Sequence, residues 1–139
     1  MNLVEILNKI IPYNSLGMNL INVSDDSLSM TISLDKNIND KNTLFAGSIY
    51  SVMVLCGWAL VYKTLNKDAK LYEIVIKQSK IDYLLPVKTD ALAVAQINGD
   101  IIEKENKNIS IPVIVELKDA KDRICAEFIG EYIGVNIKR

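Results

Sequence analysis

The chain has 139 residues, half of them apolar, which is enough for one domain that buries roughly two thirds of its unfolded surface. Sixteen basic side chains against seventeen acidic ones leave a net charge of −1, and with no basic stripe to neutralise phosphates, nucleic acid is not an expected partner. Histidine is absent, so Ser-His-Asp and Cys-His nucleophile pairs and the usual His-bearing zinc sites are excluded, and neither a metal nor a cofactor is expected.

At the start of the chain, Leu3, Ile6, Leu7, Ile10 and Ile11 recur at helical spacing around Glu5. That pattern predicts a short amphipathic helix, stopped by Pro12, rather than a signal peptide. A short strand from Met18 to Val23 follows, then a Ser24-Asp25-Asp26-Ser27 turn. Leu28, Met30, Ile32 and Leu34 alternate with Ser29, Thr31 and Ser33, a strand with one face in and one face out.

Residues 37–62 concentrate the polar chemistry of the chain. A loop containing Asn37, Asn39, Asp40, Asn42 and Thr43 runs into Phe45-Ala46-Gly47-Ser48, and no charge appears from Phe45 to Tyr62. The run just reaches the ~18 residues of a membrane span. It also holds two Gly and two Ser and precedes several amphipathic strands that need something to cover, so it reads as a central core helix and no membrane partner is expected. Its N-terminus carries roughly half a positive charge and several unpaired N–H groups, able to hold an anion or a developing oxyanion. The loop residues before it serve either as caps for that helix or as groups acting on a ligand. Ser48 and Ser51 either back-bond within the helix or meet the same ligand. Cys56 and Cys125 read as buried thiols of a reducing, cytoplasmic compartment.

Beyond the helix, Ile74 and Ile76 carry the apolar pattern at even positions but Ile81 and Tyr83 at odd ones. This slip between Lys77 and Lys80 predicts a β-bulge or a change of buried face. Thr89 to Ile97 is an Ala-rich strand whose Ala91, Ala93, Ala95 face lets a neighbour pack close. Asp100 to Asn106 reads as one helical turn capped by Asp100, against a hairpin at Asn98-Gly99. The alternation from Ile109 to Leu117 is a strand in which Pro112 points to an edge or a bulge. A last strand, Ile124 to Val135, follows the turn at residues 118–122. One long buried helix wrapped by a curved antiparallel sheet is an α+β architecture.

The segments Asn39-Asp40-Lys41-Asn42-Thr43-Leu44-Phe45-Ala46-Gly47-Ser48-Ile49-Tyr50, Gly57-Trp58-Ala59-Leu60, Ile74-Val75-Ile76 and Phe128-Ile129-Gly130-Glu131-Tyr132 resemble the thioesterase domain of the YiiD C-terminal type. The order of elements and the Ile81-Asp82-Tyr83-Leu84-Leu85-Pro86-Val87 strand end resemble hot-dog fold thioesterases generally. The resemblance implies a single hot-dog domain over residues 1–139. It further implies a homodimer or dimer of dimers with sites at subunit interfaces, binding acyl groups carried as thioesters on coenzyme A or acyl carrier protein. Many hot-dog thioesterases place His-Gly-Gly where Phe45-Ala46-Gly47 stands here, and relatives often carry a carboxylate inside the helix, where this chain has none from Phe45 to Tyr62. Asp40, the only carboxylate between Asn37 and Tyr62, is then the expected general base, provided burial at a dimer seam raises its pKa. Asn39 and Asn42 would orient the water and the Gly47 N–H would polarise the carbonyl. Thr43, Phe45, Ala46, Ser48 and Tyr83 complete the expected substrate contacts. The Lys and Glu between Glu103 and Lys121 form a solvated face, some of whose lysines would meet coenzyme A phosphates. A non-catalytic module that only holds the acyl carrier is the competing reading.

Overall fold

The computed structural model describes residues 2–138. Two short helices, α1 (Leu3–Asn8) and α2 (Ile11–Ser15), precede the hairpin of β1 (Met18–Val23) and β2 (Ser27–Ile32). The long helix α3 (Ala46–Leu65) comes next, followed by β3 (Tyr72–Tyr83), β4 (Ala91–Ile97), β5 (Ile102–Glu103), β6 (Ile109–Lys118) and β7 (Ile124–Asn136). All strands join one antiparallel sheet in the order β1-β2-β4-β6-β7-β3, with β5 paired to β6.

The period-2 patterns decide which face of the sheet meets α3. Leu28, Met30 and Ile32 of β2, Ala91, Ala93 and Ala95 of β4, Ile111, Val113, Val115 and Leu117 of β6, and Phe128 and Tyr132 of β7 are all buried. Eleven residues of α3 are buried as well, each large apolar one contributing about 1.5–3 kcal/mol. The expected alanine face on β4 does bring the helix close: the Cys56 thiol sits 3.3 Å from the Leu28 carbonyl oxygen and 3.6 Å from that of Ala93. Gly57 lets Tyr132 of β7 reach under the helix, where its hydroxyl donates to the Val54 carbonyl at 2.6 Å.

The phase slip in β3 is a bulge at Lys77: Ile76 pairs with Tyr132 and Gln78 with Glu131. Ile74 and Ile76 thus face inward before it, Ser79 and Ile81 after it. Three expectations need correction. Pro12 does not stop the first helix. That helix ends at Asn8, and Pro12 lies in the first turn of α2, where a missing N–H costs nothing. Residues 100–106 form no helical turn; Ile102 and Glu103 are the strand β5, paired with Ser110 and Ile109. The reason is backbone demand, because β6 runs beyond the end of β4 and its flank needs partners. Pro112 is neither at a sheet edge nor at a bulge, since β6 is an interior strand. Its carbonyl accepts from Asn98 N at 2.9 Å, so its donor-less nitrogen faces the same flank, in the gap between β4 and β5.

A β-carbon at position 57 would lie 2.5 Å from the Tyr132 hydroxyl and 2.9–3.0 Å from its ring. Gly57→Ala should therefore destabilise the protein by about 1–3 kcal/mol, measured by denaturant titration. In Gly57→Ala/Tyr132→Phe the removed hydroxyl relieves part of the clash, so the double mutant should lose less than the sum of the two single losses.

Candidate functional site

The loop before α3 is closed on itself by Asn39. The Asn39 side-chain oxygen accepts from the backbone N–H of Lys41 (2.9 Å) and Thr43 (3.0 Å), and its amide nitrogen donates to the Thr43 hydroxyl (2.9 Å). The Asn39 backbone N–H donates to Thr43 O at 2.9 Å, and Asn42 takes a left-handed conformation, φ 62°, that asparagine tolerates well. Asn39 thus spends its oxygen on the loop and retains one free amide hydrogen. Asp40 stands at the tip with its side chain 80% exposed, 3.3 Å from the Lys41 ammonium. Nothing among the described residues buries it.

Phe45 is the N-cap residue of α3, and no side chain caps the helix. The Phe45 carbonyl accepts from the N–H of Ser48 and of Ile49, both at 3.0 Å. The N–H groups of Ala46 and Gly47, on exposed residues, have no partner among the described residues. The Phe45 ring lies over Gly47, where a β-carbon would come within 2.5 Å of Cε2. Ser48 is buried in the first turn, and Ser51 back-bonds to the Gly47 carbonyl at 2.9 Å.

The end of β3 is tied to this helix start. The Tyr83 hydroxyl donates to the Ala46 carbonyl at 3.0 Å, and burial, then the neighbouring Tyr50, pushes the phenol above its usual pKa. It remains a neutral donor. Leu84 and Leu85 N–H both reach the Cys125 carbonyl, at 2.8 and 3.1 Å, and Leu44 N–H bonds to Val87 O at 2.8 Å. Between these clamps lies a cleft of about 280 Å³ lined by Asn39, Ala46, Ile49, Tyr83, Leu85 and Pro86, among others. The fold therefore brings Asn39, Ala46 and Tyr83 to one cleft, and leaves Gly47 and the Asp40 carboxylate out of its lining.

A second opening, of about 530 Å³, runs along α3 past Tyr50, Ser51, Val54 and Trp58 toward β3. No sequence expectation named it as a site. The signal was present in the helical spacing of Gly47, Ser51, Val54 and Trp58, but an apolar residue on a core helix reads as core. Tyr50 meets the inward-facing Ser79 there, hydroxyl to hydroxyl at 2.5 Å. No carboxylate lines either opening among the described residues. Cys56 is no nucleophile, since burial pushes its thiol from 9.0 up to about 12, and Cys125 is also raised, first by burial and then by Asp119.

An antiparallel sheet wrapped on one long helix, with a cleft at the helix N-terminus, is the hot-dog fold of thioesterases. The chain belongs to the family described as "Putative thioesterase (yiiD_Cterm)", whose pattern matches residues 1–136. A protein of Shewanella oneidensis described as a "putative thioesterase" is 27% identical, with 96% of this chain and 94% of that one superimposed at a TM-score of 0.83. A thioesterase of Haemophilus influenzae superimposes over 100% of this chain and 94% of its own at 15% identity and a TM-score of 0.82. The PaaI protein of Escherichia coli, from the phenylacetic acid degradation operon, does so over 97% and 91% at 14% and 0.80. The last two likenesses show the fold alone. Family and fold together point to hydrolysis of acyl thioesters.

The raised Cys56 thiol has a consequence in alkali. Unfolded chains ionise this thiol above the ordinary 9.0, while the folded chain holds it protonated up to about 12, so its contribution to stability is constant below pH 9 and is lost as pH rises between those values. Cys56→Ala should make the alkaline fall of the stability–pH curve shallower, and in the native protein at pH 8 neither thiol should react with a disulfide reagent until denaturant is added.

Proposed function

We propose that residues 1–139 act as one hot-dog unit, an acyl-thioester hydrolase of the cytoplasm acting on acyl groups of fatty acid metabolism carried by coenzyme A or acyl carrier protein. The observation that carries the reading is the start of α3, which no side chain among the described residues caps and where Ala46 lines a small cleft. Donors fixed by a helix can hold the oxygen of a thioester carbonyl and strengthen their hold as charge develops on it. Water then attacks the carbonyl carbon, its proton passes to a base, and the C–S bond breaks to release the carrier thiol and the free acid. Phe45, Ala46, Ser48 and Tyr83 shape the site around the acyl carbon, and Asn42 and Thr43 border its loop.

The base is Asp40 in this proposal, and its exposure sets a condition. A second copy of the chain must supply the burial that one chain lacks. The sheet favours such a partner: β3 is an edge strand of 12 residues with one row of backbone groups unpaired, and a homodimer, or a dimer of dimers, would cover it. The lysines among residues 104–121 are the proposed contacts for coenzyme A phosphates. One observation favours the second reading, a module that binds the acyl carrier without turnover: among the described residues no carboxylate lines the two openings beside α3.

Hydrolysis of acyl-coenzyme A by the wild type, lost by roughly a hundredfold in Asp40→Asn with binding little changed, is the expected result. Equal rates in the two proteins would remove Asp40 from the mechanism. Binding without turnover by the wild type would establish the module instead.

A further inference from the structure

Between Ser48 and Tyr62, every residue of α3 is buried except Tyr50, Ser51, Val54 and Trp58. Ser51, Val54 and Trp58 stand on one stripe of the helix with Gly47 at its head. The stripe is the floor of the larger groove, with Ile74 and Ile76 of β3 on one side and Ile10 and Pro12 on the other.

The polar groups in this groove are already spoken for. The Ser51 hydroxyl donates to Gly47 O (2.9 Å), the Tyr132 hydroxyl to Val54 O (2.6 Å) and the indole N–H of Trp58 to Ile74 O (3.0 Å), while Tyr50 pairs with Ser79. A sugar or nucleotide entering here would surrender its water and find few partners, whereas an alkyl chain would surrender nothing. Trp58 lines the groove with a fixed ring: its indole is held by the bond to Ile74 and by stacking on Tyr62, centroids 5.1 Å apart at 24°.

We propose that this groove takes the alkyl part of the substrate, and that Trp58 is the residue that limits its length. The proposal rests on the thioester reading for the position of the carbonyl at Gly47. A helical side chain covers the turn before its own Cα, so the indole stands near the level of Val54. Seven residues of rise separate that level from Gly47, roughly 10 Å, which accommodates an extended chain of about eight carbons. The ligand class is therefore a straight-chain acyl thioester of short to medium length, and longer chains meet the indole.

Trp58 is the only tryptophan in the chain, so its emission reports on the groove directly. Titration of the wild type with 8-bromooctanoyl-coenzyme A should quench it, because the bromine lies at the indole, while 2-bromooctanoyl-coenzyme A, with bromine beside the carbonyl, should quench little. Across the acyl-coenzyme A series, affinity or kcat/KM should rise by up to about fourfold per methylene to near eight carbons and then fall. Trp58→Ala should move that limit to longer chains, and Trp58→Phe, which keeps a ring in place, should hold it near wild type. Hydrolysis with no length limit and no difference between the two bromo-acyl probes would overturn this assignment and leave the thioesterase reading standing. Selective quenching with no turnover would uphold the groove and remove the hydrolase. Binding of no acyl chain at all would overturn both, leaving the stripe to contact between copies of the chain.

Discussion

The close seat of α3 on the sheet is the constraint from which the rest follows. A helix with eleven buried residues can be covered by one sheet only if backbone approaches backbone, and the chain provides for this with small residues where the two meet. Ala93 and Ala95 are fully buried beneath it, Gly57 admits the Tyr132 ring, and Gly134 leaves room for Leu65 at the far end. Larger side chains there would push the helix outward and open the interior. Dispersion contacts and apolar burial then stabilise the whole layer together.

Because the helix is pinned along its length, its N-terminus is held at a defined place, and the polar loop is fitted to it. Asn39 consumes most of its hydrogen-bonding capacity in closing that loop, and Tyr83 anchors the end of β3 to Ala46. The result is a rigid helix start whose first donors are left open, an arrangement suited to holding an oxygen atom without reorganisation. The cysteine next to the sheet takes no part in such chemistry, since the burial that seats the helix also suppresses its ionisation.

The same packing leaves one stripe of α3 incompletely covered. The sheet curls round most of the helix, α1 and α2 lie over part of the remainder, and the groove between α2 and β3 is what neither reaches. The bulge at Lys77 turns Ser79 inward beside Tyr50, so the groove wall next to the helix start carries a paired hydroxyl rather than an unpaired polar group.

Much of this fold was legible in the residues. Alternation marked the principal strands, the charge-free run marked the core helix, and the slip between Ile76 and Ile81 marked the bulge, because each depends on a side-chain period that the backbone imposes locally. The polar loop marked the helix start for another local reason, that Asn, Asp and Thr are turn and cap formers. What the residues left open required neighbours distant in the chain. Ile102 and Glu103 became a strand only because β6 extends past β4 and needs partners, and Pro112 could sit inside a sheet only because that flank has a gap. Asp40 was readable as a carboxylate in a polar loop, but its exposure follows from how that loop closes on Asn39. The open stripe from Gly47 to Trp58 is likewise the product of what covers the helix. Local periodicity thus determined which elements form and which faces are apolar. Only the tertiary structure decided what each face meets, since burial and backbone pairing are properties of neighbours that the sequence brings together from afar.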